Sequence, residues 1–215
     1  TPGAAAGAVG APSACAAPAA LAPWEPQLAA SAARVTAKRL EVVRKLGMLA
    51  NLMQRRISGS QENLALSLVI DGSGGEAPPT VTNALETWYN EKLQECREND
   101  IARGATTVGP HRDDLMLAVN GVNLRSFGSQ GQQRTGALSL KLSELEFLRS
   151  ETGEYPILLL DDVMSELDAD RRQALLAFLR KEHIQTIITA TDAAYFPRAP
   201  LGTRYRVAAG QVARM

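Results

Sequence analysis

Apolar residues recur every three or four positions between Gln27 and Ile57, and this spacing predicts a long amphipathic helix. Ser58 and Gly59 follow directly and are expected to end it. The apolar positions expected on its packing face are Leu28, Ala32, Val35, Val42, Leu46, Leu49 and Met53.

Two further elements are expected before Gly104. Apolar residues alternate from Asn63 to Ile70, which predicts a half-buried strand. A second helical pattern runs from about Thr80 to Arg103, and its packing face is expected to contain Val81, Leu85, Trp88 and Leu93. Residues 24–103 are therefore predicted to form a mainly helical lobe.

The pattern changes after Gly104, and residues 104–215 are predicted to form an α/β domain. Asn120-Gly121 between two apolar stretches predicts a tight hairpin, and the segment YRVAAGQV near the end predicts another. Between them, a leucine-lined helix is followed by a strand, a helix capped by Asp168 and a second strand. Because both strands are near-continuous apolar runs, we expect parallel strands buried on both faces of the sheet. The leucines of the first helix are Leu138, Leu142, Leu145 and Leu148.

Composition narrows the possible classes of protein. The 215 residues carry 23 Lys plus Arg and 23 Asp plus Glu, so a polyanion site requires a local basic patch. Two distant cysteines and two histidines exclude a disulfide framework and a Cys/His zinc site, and they favour the reducing cytoplasm. No run approaches the roughly 18 apolar residues of a membrane span. Residues 1–23, rich in Ala, Pro and Gly, are expected to be a flexible linker.

The strongest chemical signal is the pair Asp161 and Asp162, which follows the apolar strand Ile157–Leu160. Open α/β sheets bind ligands at the carboxyl ends of their strands. One carboxylate there can hold Mg²⁺ together with phosphate oxygens, and the next can orient or deprotonate a water molecule. The alternative is a turn with two solvated acids.

A second signal is the segment Gly128–Gln133, GSQGQQ, at the start of the leucine-lined helix. Small residues at a helix N-terminus expose backbone N–H groups and a hydroxyl that suit a phosphate. The alternative is an ordinary helix cap. The segment lies one helix before the acidic strand, and this order supports a functional interpretation of both segments.

The first helix is strongly basic between Arg34 and Arg56, with seven bases against Glu41 alone. Such a patch can neutralise several phosphates and bind DNA independently of sequence. Since aromatic residues do not interleave the bases, contact with duplex backbone is favoured over stacking on single strands. The alternative is a solvated helix face. The bases are Arg34, Lys38, Arg39, Arg44, Lys45, Arg55 and Arg56.

Three segments together resemble the RecF family of DNA replication and repair proteins, ATPases whose head is of the ABC type and related to SMC heads. They are VGPHRDDL at 108–115, FGSQGQQRT at 127–135 and PILLLDDVMSELD at 156–168. The resemblance is close over 100–192 and weaker upstream. It implies an α/β fold: part of an ABC-type ATPase head, with a parallel sheet and flanking helices, plus a helical second lobe.

The resemblance also implies roles for individual residues. The segment Ser129, Gln130, Gly131 and Gln132 would be the ABC signature, which contacts ATP held by a partner subunit. Asp161 would bind Mg²⁺, and Asp162 would stand at the position of the catalytic base. Residues 165–168 would form the D-loop, with Asp168 near the nucleotide. His111 and Arg112 belong to a family motif, which we interpret as a structural hydrogen-bonding cluster; the alternative is a catalytic role for His111.

One expected feature is missing: the sequence contains no G-x-x-x-x-G-K-[ST] phosphate-binding loop. The resemblance therefore implies the carboxyl-terminal part of a longer ATPase, and hydrolysis by this chain alone is not expected. It further implies an ATP-dependent homodimer that binds double-stranded DNA near gaps, helps RecR and RecO to load RecA, and supports the SOS response. The alternative is a non-enzymatic module that binds DNA or RecR.

Overall fold

The computed structural model describes residues 21–71, 78–196 and 202–215, so most of the predicted linker at 1–23 lies outside the described residues. The chain divides into two compact units. Unit 1 contains the residues up to Val43 and Leu68–Leu115, and unit 2 contains Arg44–Ser67 and Met116–Met215. None of the described helices is long and apolar enough to cross a membrane.

Unit 1 is built on the first part of helix α1 (Glu25–Ile57) and on helix α2 (Thr82–Arg103). Both helices were predicted, but the packing face of α1 differs from the expected one. Leu28 and Val35 are exposed, whereas Ala32 is buried as expected and joins other alanines of α1 in a core against larger residues of α2. Small side chains let two helix backbones approach closely, which a periodicity based on large residues does not show. The core residues are Ala29, Ala32, Ala33, Leu85, Tyr89 and Leu93.

A three-stranded sheet has the order β1 (Leu64–Val69), β2 (Asp114–Val119) and β3 (Val122–Asn123). The predicted hairpin is confirmed: β2 and β3 are antiparallel, and Asn120 and Gly121 both have positive φ, at 50° and 82°. The short helix α3 (Leu124–Phe127) follows directly.

The rest of unit 2 has the predicted order of helix, strand, helix and strand. Helix α4 (Gln130–Thr152) precedes strand β4 (Leu158–Leu160), short helix α5 (Val163–Glu166), helix α6 (Ala169–Lys181) and strand β5 (Thr186–Ile188). β4 and β5 pair in parallel, with Leu158 opposite Thr186 and Leu160 opposite Ile188. Their core includes Leu142, Leu145, Leu158, Leu160, Leu175 and Phe178.

The expectation that these strands are buried on both faces is wrong for the described residues. Leu158 and Leu160 are buried, whereas Leu159 and Ile187 are 67% and 58% exposed. Successive side chains of a strand point to opposite faces, and in this structure α4 and α6 residues cover one face. The predicted final hairpin is present as β6 (Tyr205–Ala208) and β7 (Gln211–Arg214).

Candidate functional site

The acidic edge lies where strand β4 ends. Asp161 follows the last residue of β4, and Thr189 follows the last residue of the parallel neighbour β5. The Thr189 hydroxyl donates to Asp161 Oδ1 at 2.5 Å and accepts from the Asp162 backbone N–H at 3.0 Å. Thr189 N also donates to Leu160 O at 2.9 Å, which continues the ladder. One hydroxyl therefore fixes both predicted acidic residues.

Asp162 has an unusual conformation and an unsatisfied acceptor. Its φ of 49° and ψ of 19° are left-handed, which is uncommon for a residue other than glycine. Oδ2 accepts from the Ser165 hydroxyl at 2.9 Å. Oδ1 is buried and has no hydrogen-bond partner among the described residues. A buried acceptor without a partner is unusual in a native structure and is compatible with a functional role.

The start of helix α4 is a complete capping box. Ser129 Oγ accepts from Gln132 N at 3.3 Å, and Gln132 Oε1 accepts from Ser129 N at 3.1 Å. Capping uses a lone pair of the Ser129 hydroxyl, so its proton remains available for an external acceptor. The structure thus shows the helix cap that the sequence left as the alternative for this segment, and the cap is compatible with phosphate binding at Gln130 and Gly131 in the same turn.

Both signals line one open groove of about 450 Å³. Helix α4 contributes Gln133, Arg134 and Lys141, and the acidic edge contributes Asp161 and Glu166. Arg134 and Glu166 form an ion pair at 3.7 Å. The first turns of α4 and the carboxyl end of β4 therefore face a common space that holds charges of both signs.

Asp168 caps helix α6 as predicted, accepting from Arg171 N at 2.8 Å. The Arg171 guanidinium reaches the start of α4, where it donates to Gly131 O at 3.3 Å and to Thr135 Oγ1 at 2.6 Å. Glu62, just before β1, pairs with Arg171 at 3.7 Å. These contacts bring the predicted signature and D-loop residues together within unit 2.

Three of the seven predicted DNA-binding bases lie in unit 1, and they differ in their surroundings. Arg34 is exposed, and Lys38 pairs with Glu41 at 2.9 Å on the helix surface. Arg39 donates to Pro110 O and to Asp113 Oδ2, the latter at 3.3 Å. Arg39 is therefore a bridge to the loop before β2.

The other four bases lie in unit 2. Arg44 and Arg55 are exposed. Lys45 pairs with Glu151 at 3.7 Å, and Arg56 lies over the ring of Phe178 at 5.0 Å. Most of these cations remain accessible even where they have an internal partner.

The VGPHRDDL segment forms a hydrogen-bonded cluster in unit 1, which agrees with its structural interpretation. His111 Nε2 lies 3.2 Å from Thr106 O, and Arg112 Nε donates to Asp71 at 3.1 Å. The Asp113 side chain is only 1% exposed, and its Oδ1 has no hydrogen-bond partner among the described residues. Burial raises the pKa of the Asp113 carboxyl, and the nearby Arg39 guanidinium opposes this increase.

Three polar residues at this site were not expected from the sequence. Thr189 joins the two acids, and Glu62 and Arg171 join the starts of α4 and α6. The sequence could have predicted Thr189 near the two acids, because it follows the second parallel strand and the carboxyl ends of parallel strands lie at the same edge of a sheet. Glu62 lies 70 residues from its partner Gln132, and periodicity contains no information about such a contact.

Curated proteins share close sequence similarity with this chain. A protein named DNA replication and repair protein RecF from Halothermothrix orenii is 47% identical over 169 residues, which are 79% of this chain and 44% of that protein. The RecF protein of Heliobacterium modesticaldum is 46% identical over 193 residues, 89% of this chain and 51% of that protein. The chain spans about half the length of these relatives. No family model matches it.

Solved structures show the same fold. A structure of the recombination mediator protein RecF-ATP in the RecFOR pathway has a TM-score of 0.74 and 33% identity, and covers 92% of this chain and 50% of that chain. The corresponding RecF-ATPrS structure has a TM-score of 0.72 and 32% identity, with 92% and 51% covered. The predicted α/β fold with a parallel strand pair and a helical part is confirmed by these matches.

Proposed function

Because the chain is homologous to the RecF DNA replication and repair proteins over about half of their length, we propose that it supplies part of a composite ATP site in a DNA repair ATPase. The observation that supports this proposal most strongly is the acidic edge, where Thr189 holds Asp161 and Asp162 at the carboxyl end of β4. Asp161, at the end of β4, and Gln133, in the first turn of α4, also line one groove of about 450 Å³. These are the places where an α/β protein holds a metal–phosphate group and a helix binds an anion.

The residues present fit ATP and Mg²⁺. The second oxygen of Asp161 is left for a cation, because Thr189 occupies Oδ1. Mg²⁺ takes one or two carboxylates and completes its shell with phosphates and water, so one free carboxylate oxygen is enough on the protein side. When bound, Mg²⁺ would neutralise charge that develops on the transferred phosphoryl group.

In this proposal, the chain's own residues bind phosphate and orient water. Asp162 takes the position of the catalytic base, and its Oδ1 has no hydrogen-bond partner among the described residues. The Ser129 hydroxyl donates a hydrogen bond to a phosphate oxygen, and Gln130, Gly131 and Gln132 complete this anion-binding turn. Asp168 lies beside the same turn through Arg171.

The phosphate-binding loop is not in this sequence, so the nucleotide is held jointly with another segment. We infer an ATP-dependent dimer in which Ser129 and Asp168 face ATP carried by the partner copy. The exposed bases of α1 supply salt-dependent contacts to duplex DNA near gaps. RecR and RecO, acting before RecA, are the proposed partners in the cytoplasm, and the SOS response is the proposed setting.

The test is a chimera in which this chain replaces the matching 193-residue part of the Heliobacterium modesticaldum relative. We expect the isolated chain to show no saturable Mg-ATP binding at submillimolar nucleotide, measured by calorimetry. The chimera is expected to bind ATP, to dimerise with it in sedimentation experiments and to hydrolyse it slowly. Asp161→Asn should abolish hydrolysis, and Ser129→Arg should block dimerisation while monomer ATP binding remains.

Two results would contradict the proposal. A one-site ATP isotherm for the isolated chain would refute the shared site. A chimera that folds and binds DNA, but neither binds ATP nor dimerises with it, would favour the alternative of a non-enzymatic module that binds DNA or RecR. Circular dichroism of the chimera and of the parent relative provides the folding control.

A further inference from the structure

Arg171 has contacts on three separate segments of unit 2. Its Nη1 donates to Gly131 O and to Thr135 Oγ1 in the first turns of α4. Its Nε lies 3.4 Å from Asp168 Oδ2, at the cap of α6. Its Nη2 lies 3.7 Å from Glu62 Oε2, just before β1. The side chain is only 21% exposed, so water screens these contacts weakly.

The contacts continue from Glu62 to Ser129. Gln132 Nε2 donates to Glu62 Oε1 at 3.3 Å, and the same Gln132 side chain accepts from Ser129 N in the capping box. Arg171 is thus joined to the signature turn directly, through Gly131, and indirectly, through Glu62 and Gln132. It is joined to Asp168 by its own backbone as well, because Asp168 Oδ1 accepts from Arg171 N.

This arrangement depends on the chemistry of arginine. The guanidinium is a rigid planar group with five N–H donors, so one side chain can hold two helix starts in a defined orientation. Lysine has a compact ammonium on a flexible stem, and it cannot reproduce a planar fork. Thr135 is buried and its hydroxyl donates a hydrogen bond to Gly131 O at 2.7 Å, which leaves the hydroxyl oxygen as the acceptor for Arg171.

We propose that Arg171 is a positioning residue that holds the first turn of α4 and the cap of α6 in one fixed arrangement. Ser129 and Asp168 then reach a nucleotide on the partner copy together, and closure of the dimer does not have to order them separately. The inference rests on the proposed composite ATP site. It adds a residue that touches no nucleotide and acts through the two segments that do.

The test compares neighbouring arginines in the chimera. Arg171→Met removes the fork and retains an unbranched apolar stem. Arg172→Met is the matched control, because Arg172 instead contacts Met164 O and the ring of Tyr195. Two quantities are measured for each variant: the ATP affinity of the monomer by calorimetry, and the protein concentration at which half is dimeric in ATP by sedimentation velocity.

We expect Arg171→Met to change the ATP affinity of the monomer by less than about twofold. The protein concentration at which half is dimeric should rise by at least about tenfold, which corresponds to about 1.4 kcal/mol. Arg171→Lys should recover only part of this loss, and Arg172→Met should resemble the wild type. If Arg171→Met does not fold, Thr135→Val serves in its place, since it removes one acceptor of the fork while keeping the side-chain shape.

The outcomes distinguish a failure of the proposed ATP site from a failure of the positioning role of Arg171. If the unmodified chimera does not dimerise with ATP, the proposed function fails and this inference fails with it. If the unmodified chimera dimerises and Arg171→Met matches Arg172→Met, only the positioning role is wrong. If Arg171→Met weakens monomer ATP binding as much as dimerisation, Arg171 has a general structural role, and the inference is overturned.

Discussion

Gln54 is expected to be one of the most sensitive polar positions of unit 2. It lies on α1, is fully buried and has both ends of its amide engaged. Oε1 accepts from the Ser139 hydroxyl of α4 at 2.8 Å, and Nε2 donates to Glu62 Oε2 at 2.7 Å. Gln54→Met keeps the length of the side chain and removes both hydrogen bonds. The substitution therefore tests the polar network without creating a large cavity.

The expected loss in the free energy of unfolding follows from the polar groups that Gln54→Met leaves without a hydrogen-bond partner. The buried Ser139 hydroxyl loses its acceptor, at about 1–3 kcal/mol, and the Glu62 carboxylate loses a charge-assisted bond of about 1.5–3 kcal/mol. Glu62 retains Gln132 and Arg171, and the methionine buries apolar surface, so part of this cost is offset. We expect the free energy of unfolding to fall by roughly 2–4 kcal/mol.

The assay is urea unfolding of the chain, followed by far-UV circular dichroism. Tryptophan fluorescence is a poor probe here, because Trp24 and Trp88 both lie in unit 1. The matched control is Gln61→Met at an exposed position, where the change should stay within about 0.5 kcal/mol. In the double variant with Ser139→Ala, the hydroxyl that Gln54→Met leaves without an acceptor is absent. The stability losses of the two single variants should therefore sum to about 1 kcal/mol more than the loss measured for the double variant. A Gln54→Met loss no larger than that of Gln61→Met would refute the reasoning.

Three further predictions concern the acidic edge, the pH response and the basic helix. In the chimera, Thr189→Val should lower kcat at least about tenfold and raise the Mg²⁺ requirement, whereas Thr189→Ser keeps the hydroxyl and should stay near wild type; equal rates for both variants would contradict the role of the hydroxyl. Burial raises the pKa of Asp113 above its ordinary 3.8, so the folded chain binds the proton more tightly than the unfolded chain. The stabilisation from this group is therefore fully present below pH 3.8 and is lost as the pH rises through the pKa of the folded state. Asp113→Asn should therefore flatten urea stability against pH from about 4 upward, and an unchanged profile would show that Asp113 does not cause it. Replacing the exposed Arg44 and Arg55 by alanine should reduce the slope of log affinity for duplex DNA against log salt by about 2, and an unaltered slope would place the DNA surface elsewhere.

Local chemistry made several elements predictable from the sequence. Asn120-Gly121 has only one common use between two apolar runs, and the hairpin has the expected positive φ values. Asp168 and Ser129 stand at helix starts, where their side chains cap the backbone within three residues. The order of strands and helices after Gly104 was likewise contained in the apolar pattern. Such features depend on neighbours in the chain, which the sequence displays directly.

Tertiary structure alone decided which faces are buried and which polar groups meet. In unit 1, Ala29 and Ala33 join the predicted Ala32 in the buried face of α1, because a close helix approach favours small residues. The contacts of Thr189 with Asp161 and of Arg171 with Gly131 join residues 28 and 40 positions apart. Whether such side chains meet depends on how strands and helices pack. The local sequence pattern around each residue is the same for many possible partners, so it does not identify the one that is contacted. The sequence by itself therefore determined the elements and the candidate acids, and packing determined how those acids are held.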